Sequence, residues 1–300
     1  MNTGVTIRTL AIASGKGGVG KSFLALNLAW CLAELGQRVL LIELDREAGA
    51  LSVAAGLGSP AISAPATDAA TMAARVLTVP GAPRVQLLRA ADIPIDAARS
   101  ALSLAPLLSD INTHWRIADL APGLGAQTVL WLNRAEPAIL IGTPELVTVQ
   151  AMLRLQQHLQ HQHVFEHLRN MDPRLRTCAP SLSAIKREVN TLYGEQAKGI
   201  WADAWNTFRF PAWVFNRTLP DDQTQLLRIT AHLKTQAGER AAHPWLIPED
   251  VAQTRCSRFG RVLLRHESAC DAARAIRSIA SELCATASLA PGALAKESAA

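Results

Sequence analysis

The sequence lacks several features that mark special classes of protein. No apolar run reaches the ~20 residues that a membrane-spanning helix needs, and the first residues carry no basic stretch followed by a long apolar segment, the pattern of a secretory signal. The five cysteines are widely scattered and never form a Cys-x-x-Cys pair, which argues against a disulfide framework and against a zinc or iron–sulfur site. We therefore expect a cytoplasmic protein with reduced thiols.

Charged residues are also scarce, at 18% of the chain against 49% hydrophobic residues. This balance excludes a mainly disordered protein and supplies enough apolar material for a sizeable core. The formal net charge is +5, which permits contact with nucleic acid or anionic lipid without requiring either. The late arginines between 255 and 277 are typical of a solvated helix face, with a binding patch as the alternative.

Seven short aliphatic runs predict buried strands, at 9–13, 39–42, 85–88, 115–118, 138–141, 212–215 and 245–247. Helix-length segments separate most of them, and 22–35 predicts a helix that ends at Gly36. Strand and helix alternating in this way predict an α/β fold, a doubly wound, mainly parallel sheet with helices on both faces.

Two segments interrupt this rhythm. Residues 56–83 are rich in Ala, Pro and Ser and predict a loop with one short helix. Residues 151–211 predict a helical, aromatic-rich insertion, longer than one crossover connection needs. We predict a single domain over 1–286 and a flexible tail over 287–300.

The motif that carries the chemistry follows the first strand. Residues 15–22 fit the pattern G-x-x-x-x-G-K-[ST] of a phosphate-binding P-loop. Its glycines allow consecutive N–H groups to face one concavity, and the following helix adds its positive end. Lys21 would then contact the β- and γ-phosphates, and Ser22 would ligate Mg²⁺. The predicted nucleotide contacts are Gly15, Gly17, Gly18, Val19, Gly20, Lys21, Ser22 and Phe23.

A second lysine, Lys16, lies inside this loop. The phosphates bound by the same loop are already contacted by Lys21, so Lys16 is not needed for them. The run KGGVGKS resembles the deviant Walker A signature of the ParA/MinD family of P-loop ATPases. The resemblance implies a homodimer with ATP sandwiched between the subunits, in which Lys16 contacts the ATP bound by the partner. It covers about residues 7–285, but the insertion matches nothing in the family.

Further elements of the family follow in order. The run ending Glu43-Leu44-Asp45 resembles its second strand, which implies that Asp45 positions the attacking water; Glu43 stands where Asp is usual, and its role stays open. Asp119 follows a buried strand as a Walker B acid would, and it would hold Mg²⁺ with Ser22. The loop 121–125 after it resembles switch II. Asn216 resembles the asparagine that recognises adenine, with a structural turn residue as the alternative.

Two other clusters have simpler interpretations. The histidines at 158, 161, 163 and 167 permit pairwise metal binding at helical spacing, but a solvated helix face is favoured. The aromatic residues between 201 and 215 are interpreted as core rather than as a partner-binding surface.

The resemblance implies an ATPase that acts as a dimeric switch, weak alone and stimulated by a partner protein or cargo. The family resemblance implies that it positions or regulates a flagellum, the machinery of a cell pole, the division site or a cargo. The turn Gly142-Thr143-Pro144-Glu145 resembles one found in MinD-like regulators of flagellar number, which favours that side of the family. Non-specific DNA or a membrane surface could serve for docking. The alternatives are an ATP-binding scaffold with little or no hydrolysis and a ParA-like DNA-partitioning ATPase. An electron-transfer protein is disfavoured because no cysteine pair is present, and a small-molecule ligase or kinase is disfavoured by Lys16.

Overall fold

The fold is a single sheet with helices on both faces. The structure, a computed structural model, describes residues 7–46, 49–58, 64–177, 181–237 and 243–288. Within these ranges the strands are β1 (Arg8–Ala13), β2 (Val39–Glu43), β3 (Leu77–Val79), β4 (Ala82–Leu88), β5 (Trp115–Asp119), β6 (Ala138–Gly142), β7 (Ala212–Thr218) and β8 (Trp245–Pro248). They lie in the order β3-β4-β2-β5-β1-β6-β7-β8.

Every neighbouring pair of strands is parallel except β3 and β4, which are antiparallel. The predicted fold class and all seven predicted strands are confirmed. The prediction of a loop with one short helix over 56–83 is wrong at Leu77–Val79. Pro80 and Gly81, the latter with φ +82°, turn these three residues back onto β4, and so short a strand leaves little periodic signal.

The α-helices of the described residues are α1 (Lys21–Glu34), α2 (Ala50–Ala54), α3 (Ala69–Ala74), α4 (Ala101–Leu104), α5 (Ala126–Arg134), α6 (Leu146–Met171), α7 (Leu182–Tyr193), α8 (Ala197–Asn206), α9 (Gln223–Ala237), α10 (Val251–Arg258), α11 (Leu263–His266) and α12 (Asp271–Ser288). None of them is both long and apolar enough to cross a membrane. The predicted end of the first helix agrees with the structure, where Gly36 adopts φ +85°.

Alternate residues of the strands feed two apolar cores, one on each face of the sheet. Leu10, Val39 and Ile117 pack with α1 and α12 on one face, while Ala11, Leu40 and Ala118 pack with α5 and α6 on the other. All five residues of β2 are buried. Burial on both faces explains why these strands are apolar throughout rather than alternating.

A third apolar cluster lies apart from both faces of the sheet. It is formed by the second half of α6 together with α7 and α8, around Val164, Leu168, Ile185 and Val189. The first half of α6 belongs to the sheet core through Met152 and Leu155. Helix α6 therefore joins the main core to the helices of the predicted insertion. Of the predicted tail, 289–300 lies outside the described residues.

Candidate nucleotide-binding site

The turn between β1 and α1 has the backbone form that a phosphate-binding loop needs. Gly18 and Gly20 have φ values of +80° and +97°, a left-handed region that favours glycine. Gly20 is the N-cap of α1 and supplies no side-chain cap. No cap therefore competes with an anion for the N–H groups of the first helical turn.

Two glycines of the loop are required by close neighbours. A Cβ on Gly15 would lie 2.6 Å from the carbonyl carbon of Ala151 in α6, and a Cβ on Gly20 would lie 2.3 Å from Nδ2 of Asn216. Both contacts are too short for any larger residue. Lys16, Gly17 and Gly18 form the exposed outer side of the loop, whereas Val19 is buried.

Lys21 and Asp119 form a buried ion pair beneath the loop. Lys21 Nζ donates to Asp119 Oδ1 at 2.6 Å, and both side chains are almost fully buried. Burial raises the pKa of the Asp119 carboxyl, and the charge of Lys21 and a hydrogen bond from Ser22 offset only part of that rise. The pair thus joins the predicted phosphate-binding lysine to the predicted magnesium ligand.

The donor set at this position fits Mg²⁺. Asp119 Oδ2 is buried and has no hydrogen-bond partner among the described residues, which is costly for a carboxylate oxygen unless a cation or donor meets it. The Ser22 hydroxyl is near enough to this carboxylate to lower its pKa. Oxygen ligands of this kind are those that Mg²⁺ prefers, so Ser22 and Asp119 have the chemistry for it.

Glu43 holds the segment that follows β2. It lies beside Asp119 in the sheet register and is buried. Its Oε1 accepts hydrogen bonds from the N–H groups of Leu51 and Ser52 at 3.0 and 3.1 Å, and its Oε2 accepts from the Ser52 hydroxyl at 2.8 Å. Glu43, whose role the sequence left open, therefore caps the N-terminus of α2. The N-cap residue itself, Gly49, has no side chain that could do so.

Asp45 and Lys16 both lie at the edge of the sheet where the strands end. Asp45 follows β2 by two residues and is partly buried, and Lys16 is exposed. No contact with a nucleotide tests the roles predicted for them, so these roles stay predictions.

Asn216 contacts the P-loop directly. It is buried in β7, its Nδ2 donates to the Val19 carbonyl at 2.9 Å, and its Oδ1 accepts from Gln253 Nε2 at 2.9 Å. Arg217, the next residue, has φ +58°. The amide predicted to recognise adenine thus has a protein partner at each end in this structure.

The loop after Asp119 lies against the P-loop. The N–H of Gly123 donates to the Ser14 carbonyl at 2.8 Å, and Pro122 is the nearest neighbour that a Cβ on Gly17 would meet, at 4.0 Å. Gly123 adopts φ +100°, which favours glycine. The segment that resembles switch II is therefore hydrogen-bonded to the start of the P-loop, the loop predicted to bind the nucleotide.

Exposed apolar side chains surround this edge of the sheet. We call these side chains the apolar rim. They are Leu124 after β5, Leu146 and Val147 after β6, Leu219 after β7 and Val251 after β8. Their exposures run from 48% to 80%. Exposed apolar side chains grouped at the strand ends beside a functional site favour an interaction surface there.

Sequence reasoning missed two contacts of the site. Gln253 carries no motif and lies 37 residues from Asn216, so no local pattern indicates it. The bond between Glu43 and Ser52 spans nine residues; a hydroxyl shortly after the acid-x-acid run was the available signal.

Three histidines of α6 contact residues of the insertion. His163 Nε2 lies 3.1 Å from the Thr207 hydroxyl, His167 Nε2 lies 3.3 Å from Asp203, and His161 stacks edge-on against Trp205. His161 is exposed and His163 and His167 are partly buried, so the helix face keeps contact with solvent as predicted and also contacts the insertion. Among the described residues no group of three or more His, Cys, Asp or Glu side chains could hold a metal.

The aromatic residues near the insertion pack as predicted. Phe208, Trp213 and Phe215 are buried in the second core, and Trp201 and Trp205 pack against the third cluster. Their interpretation as core is confirmed.

The chain is similar in sequence to a known family of nucleotide-binding domains and to individual relatives. The family model described as the CobQ/CobB/MinD/ParA nucleotide binding domain matches residues 10–263. The chromosome-partitioning ATPase Soj of Thermus thermophilus is 28% identical over 285 residues, which cover 93% of this chain and 96% of Soj. The antiactivator FleN of Pseudomonas aeruginosa is 28% identical over 167 residues, covering 52% of this chain and 58% of FleN.

A solved structure shares the fold over nearly the whole chain. The septum site-determining protein MinD of Pyrococcus horikoshii, complexed with Mg-ADP, superposes with a TM-score of 0.60 at 17% identity. The match covers 95% of this chain and 98% of that protein. At this identity the likeness establishes the fold.

Proposed function

Because this chain belongs to the CobQ/CobB/MinD/ParA family of nucleotide-binding domains, we propose that it is an ATP-hydrolysing dimeric switch of the ParA/MinD type. The observation that carries the proposal is the P-loop itself, with Lys21 buried on Asp119 and Lys16 exposed on the outer side. One lysine is placed for the loop's own phosphates, and the other is free to extend toward a second copy.

ATP binding would rearrange the ion pair of Lys21. The phosphate oxygens replace Asp119 as the partner of the lysine, while the N–H groups of the loop and of the first turn of α1 surround the phosphates. Asp119 and Ser22 would hold Mg²⁺, which when bound neutralises phosphate charge. The Asp119 oxygen Oδ2, buried and without a hydrogen-bond partner among the residues that the structure describes, would gain a partner in this arrangement.

Hydrolysis would depend on Asp45 and on the second subunit. Asp45 orients the water that attacks the γ-phosphate in line, and Lys16 of the other subunit meets the charge that develops on the phosphate oxygens. The N–H of Gly123, now bonded to Ser14, lies in the loop that would exchange this partner when a γ-phosphate is present. Loss of that phosphate would release the dimer.

The apolar rim supports dimerisation through the edge that carries the nucleotide. Its residues flank Lys16 at the carboxyl ends of four strands, so a second copy that brings its lysine to the phosphates also covers them. A partner protein or cargo would then bind the dimer. Soj is named a chromosome-partitioning ATPase and FleN an antiactivator, which supports a cargo or a regulated cellular structure as the object of this switch.

The decisive test is molecular mass by light scattering with ADP or with ATP, using Asp45→Ala to block hydrolysis. We expect monomers with ADP and dimers with ATP, and we expect monomers with both nucleotides when Lys16→Ala is added. A mass that is independent of nucleotide in the Asp45→Ala protein would contradict the switch.

A second candidate is an ATP-binding scaffold with little turnover. Glu43 favours it, because this carboxylate is engaged with Leu51 and Ser52 rather than with the phosphate side. Phosphate release separates the two candidates. Turnover that falls in Asp45→Ala supports the ATPase, whereas ATP-dependent dimers without turnover, in the presence of candidate partners, support the scaffold.

A further inference from the structure

Three basic side chains lie in one row at the amino ends of the strands, the edge opposite the P-loop. Val39 of β2 pairs with Val85 of β4 and with Trp115 of β5. The residues one step earlier are Arg84, Arg38 and His114, and the His114 N–H donates to the Arg38 carbonyl at 2.8 Å. We call Arg84, Arg38 and His114 the basic row.

The two arginines of the basic row lie on neighbouring strands and repel each other. Like charges opposite each other on neighbouring strands destabilise a sheet. Neither arginine forms an ion pair with a carboxylate in the described part of the chain. The nearest acids in sequence have other partners: Glu34 accepts from Trp30 and lies 3.6 Å from Arg277, and Asp110 accepts from the Ser109 hydroxyl.

A small cavity lies against the basic row. Its volume is about 240 Å³, and it is lined by Gly36, Arg38, Pro83, Arg84, Gln86 and Asn112. Arg38 is held in place by a 2.8 Å hydrogen bond to Asn112 Oδ1, yet its Nε is buried and has no hydrogen-bond partner among the described residues. The cavity is therefore lined by two arginines that form no ion pair in the described part of the chain, Arg84 exposed and Arg38 partly buried.

We propose that this cavity binds a phosphate-type oxyanion through Arg38 and Arg84. Planar guanidinium groups match the oxygens of a phosphate in pairs. The cavity is smaller than the ~300–1,000 Å³ typical of pockets for drug-sized ligands, so it suits a phosphate group rather than a whole nucleotide.

The site is distinct from the P-loop. Strand β2 runs from Val39, beside the basic row, to Glu43, beside Asp119. At about 3.3 Å per residue the two sites are on the order of 15 Å apart. Binding here goes beyond the proposed function, because it needs neither ATP nor a dimer.

His114 supplies a local probe of the site. Burial lowers the pKa of its imidazole, and the charges of Arg38 and Arg84 lower it further. An anion that neutralises the arginines would raise that pKa toward its ordinary value.

The test is an NMR titration of the histidine rings of the full chain with inorganic phosphate. The signal of His114 is identified among the eight histidines by its loss in His114→Gln. We expect phosphate to shift this signal and to raise the pKa of His114 by about half a unit or more. In Arg84→Gln the phosphate response should disappear, while Arg154→Gln, which changes an exposed arginine of α6, should respond as the wild type does.

Two further arms separate the sources of the phosphate group. A phosphomonoester such as glycerol phosphate should act as inorganic phosphate does. A response to a short DNA duplex alone would make the row a nucleic-acid contact and would overturn the proposal. So would an unchanged His114 signal in the wild type, or a phosphate response that survives in Arg84→Gln and therefore arises elsewhere.

Discussion

At the scale of single residues, the Lys21–Asp119 pair is important for both stability and ATP binding. Replacing Lys21 by Ala leaves the Asp119 carboxylate buried without its cation. Breaking a buried pair in this way costs about 3–5 kcal/mol, so we expect a large fall in the free energy of unfolding measured in urea, together with loss of ATP binding. Lys16→Ala changes an exposed lysine of the same loop and should alter stability by no more than about 0.5 kcal/mol.

The loss of unfolding free energy in Lys21→Ala should also depend on pH. Lys21 lowers the pKa of Asp119, so without it this carboxyl titrates at a still higher pH in the folded chain. The folded variant then binds the proton more tightly than the unfolded chain, and its stability falls as the pH rises through the folded pKa. The stability difference from wild type should be smaller near about pH 5 than near about pH 8. A difference independent of pH would count against an uncompensated Asp119.

Gln253 is expected to position the P-loop through Asn216. Its side chain donates to Asn216 Oδ1, which leaves Nδ2 to donate to the Val19 carbonyl. Gln253→Glu cannot donate, so the amide of Asn216 would turn over and set oxygen against oxygen at Val19. We expect ATP affinity measured by calorimetry to fall about tenfold, which corresponds to about 1.4 kcal/mol. Gln157→Glu, at an exposed position of α6, is the control and should bind ATP normally.

At the scale of elements, α2 depends on an acid from a strand. Glu43→Asp shortens the side chain by one methylene, so it should lose its bonds to Leu51 and Ser52. Loss of a cap costs about 0.5–2 kcal/mol, and amide exchange over 49–54 should quicken. Glu249→Asp, at an exposed position, should leave exchange there unchanged; equal protection in Glu43→Asp would contradict the capping role.

The elements also show how far sequence alone predicts this molecule. The strands of the sheet and the P-loop were predictable because burial on both faces and the glycine pattern leave local signals. The short strand β3 and the bond from Gln253 to Asn216 were not, since a three-residue strand has no period and a contact across 37 residues has no motif. The capping role of Glu43 depends on where α2 lies in space, which its own segment does not encode.

The helices α7 and α8 have a core of their own. Leu168→Ala should remove packing from the third cluster at a cost of about 2–5 kcal/mol. We expect faster amide exchange in α7 and α8 but unchanged ATP affinity, because the P-loop side of α6 packs in a different core. Leu28→Ala, in α1 of the first core, should instead lower the stability of the whole sheet. Loss of ATP binding in folded Leu168→Ala would show that the third cluster is coupled to the P-loop.

At the scale of the whole molecule, the two edges of the sheet have different chemistry. The carboxyl edge carries the P-loop, Asp119 and the apolar rim, whereas the amino edge carries the basic row. Parallel strands bring their carboxyl ends to one edge, so residues far apart in sequence meet there. This arrangement predicts that a second copy covers the carboxyl edge only.

Leu146→Asp tests that prediction. It introduces a charge in the apolar rim, where Leu146 is 69% exposed, so it should cost the monomer little but weaken an apolar interface by about 2 kcal/mol or more, roughly a 30-fold loss. In the Asp45→Ala background we expect ATP to bind normally while the light-scattering mass stays that of a monomer. Leu35→Asp, at the amino-edge end of α1, is 50% exposed and should still dimerise with ATP. If both variants dimerise alike, the carboxyl edge is not the contact. If only Leu35→Asp fails to dimerise, the second copy binds the opposite edge, where Lys16 cannot reach the partner's phosphates.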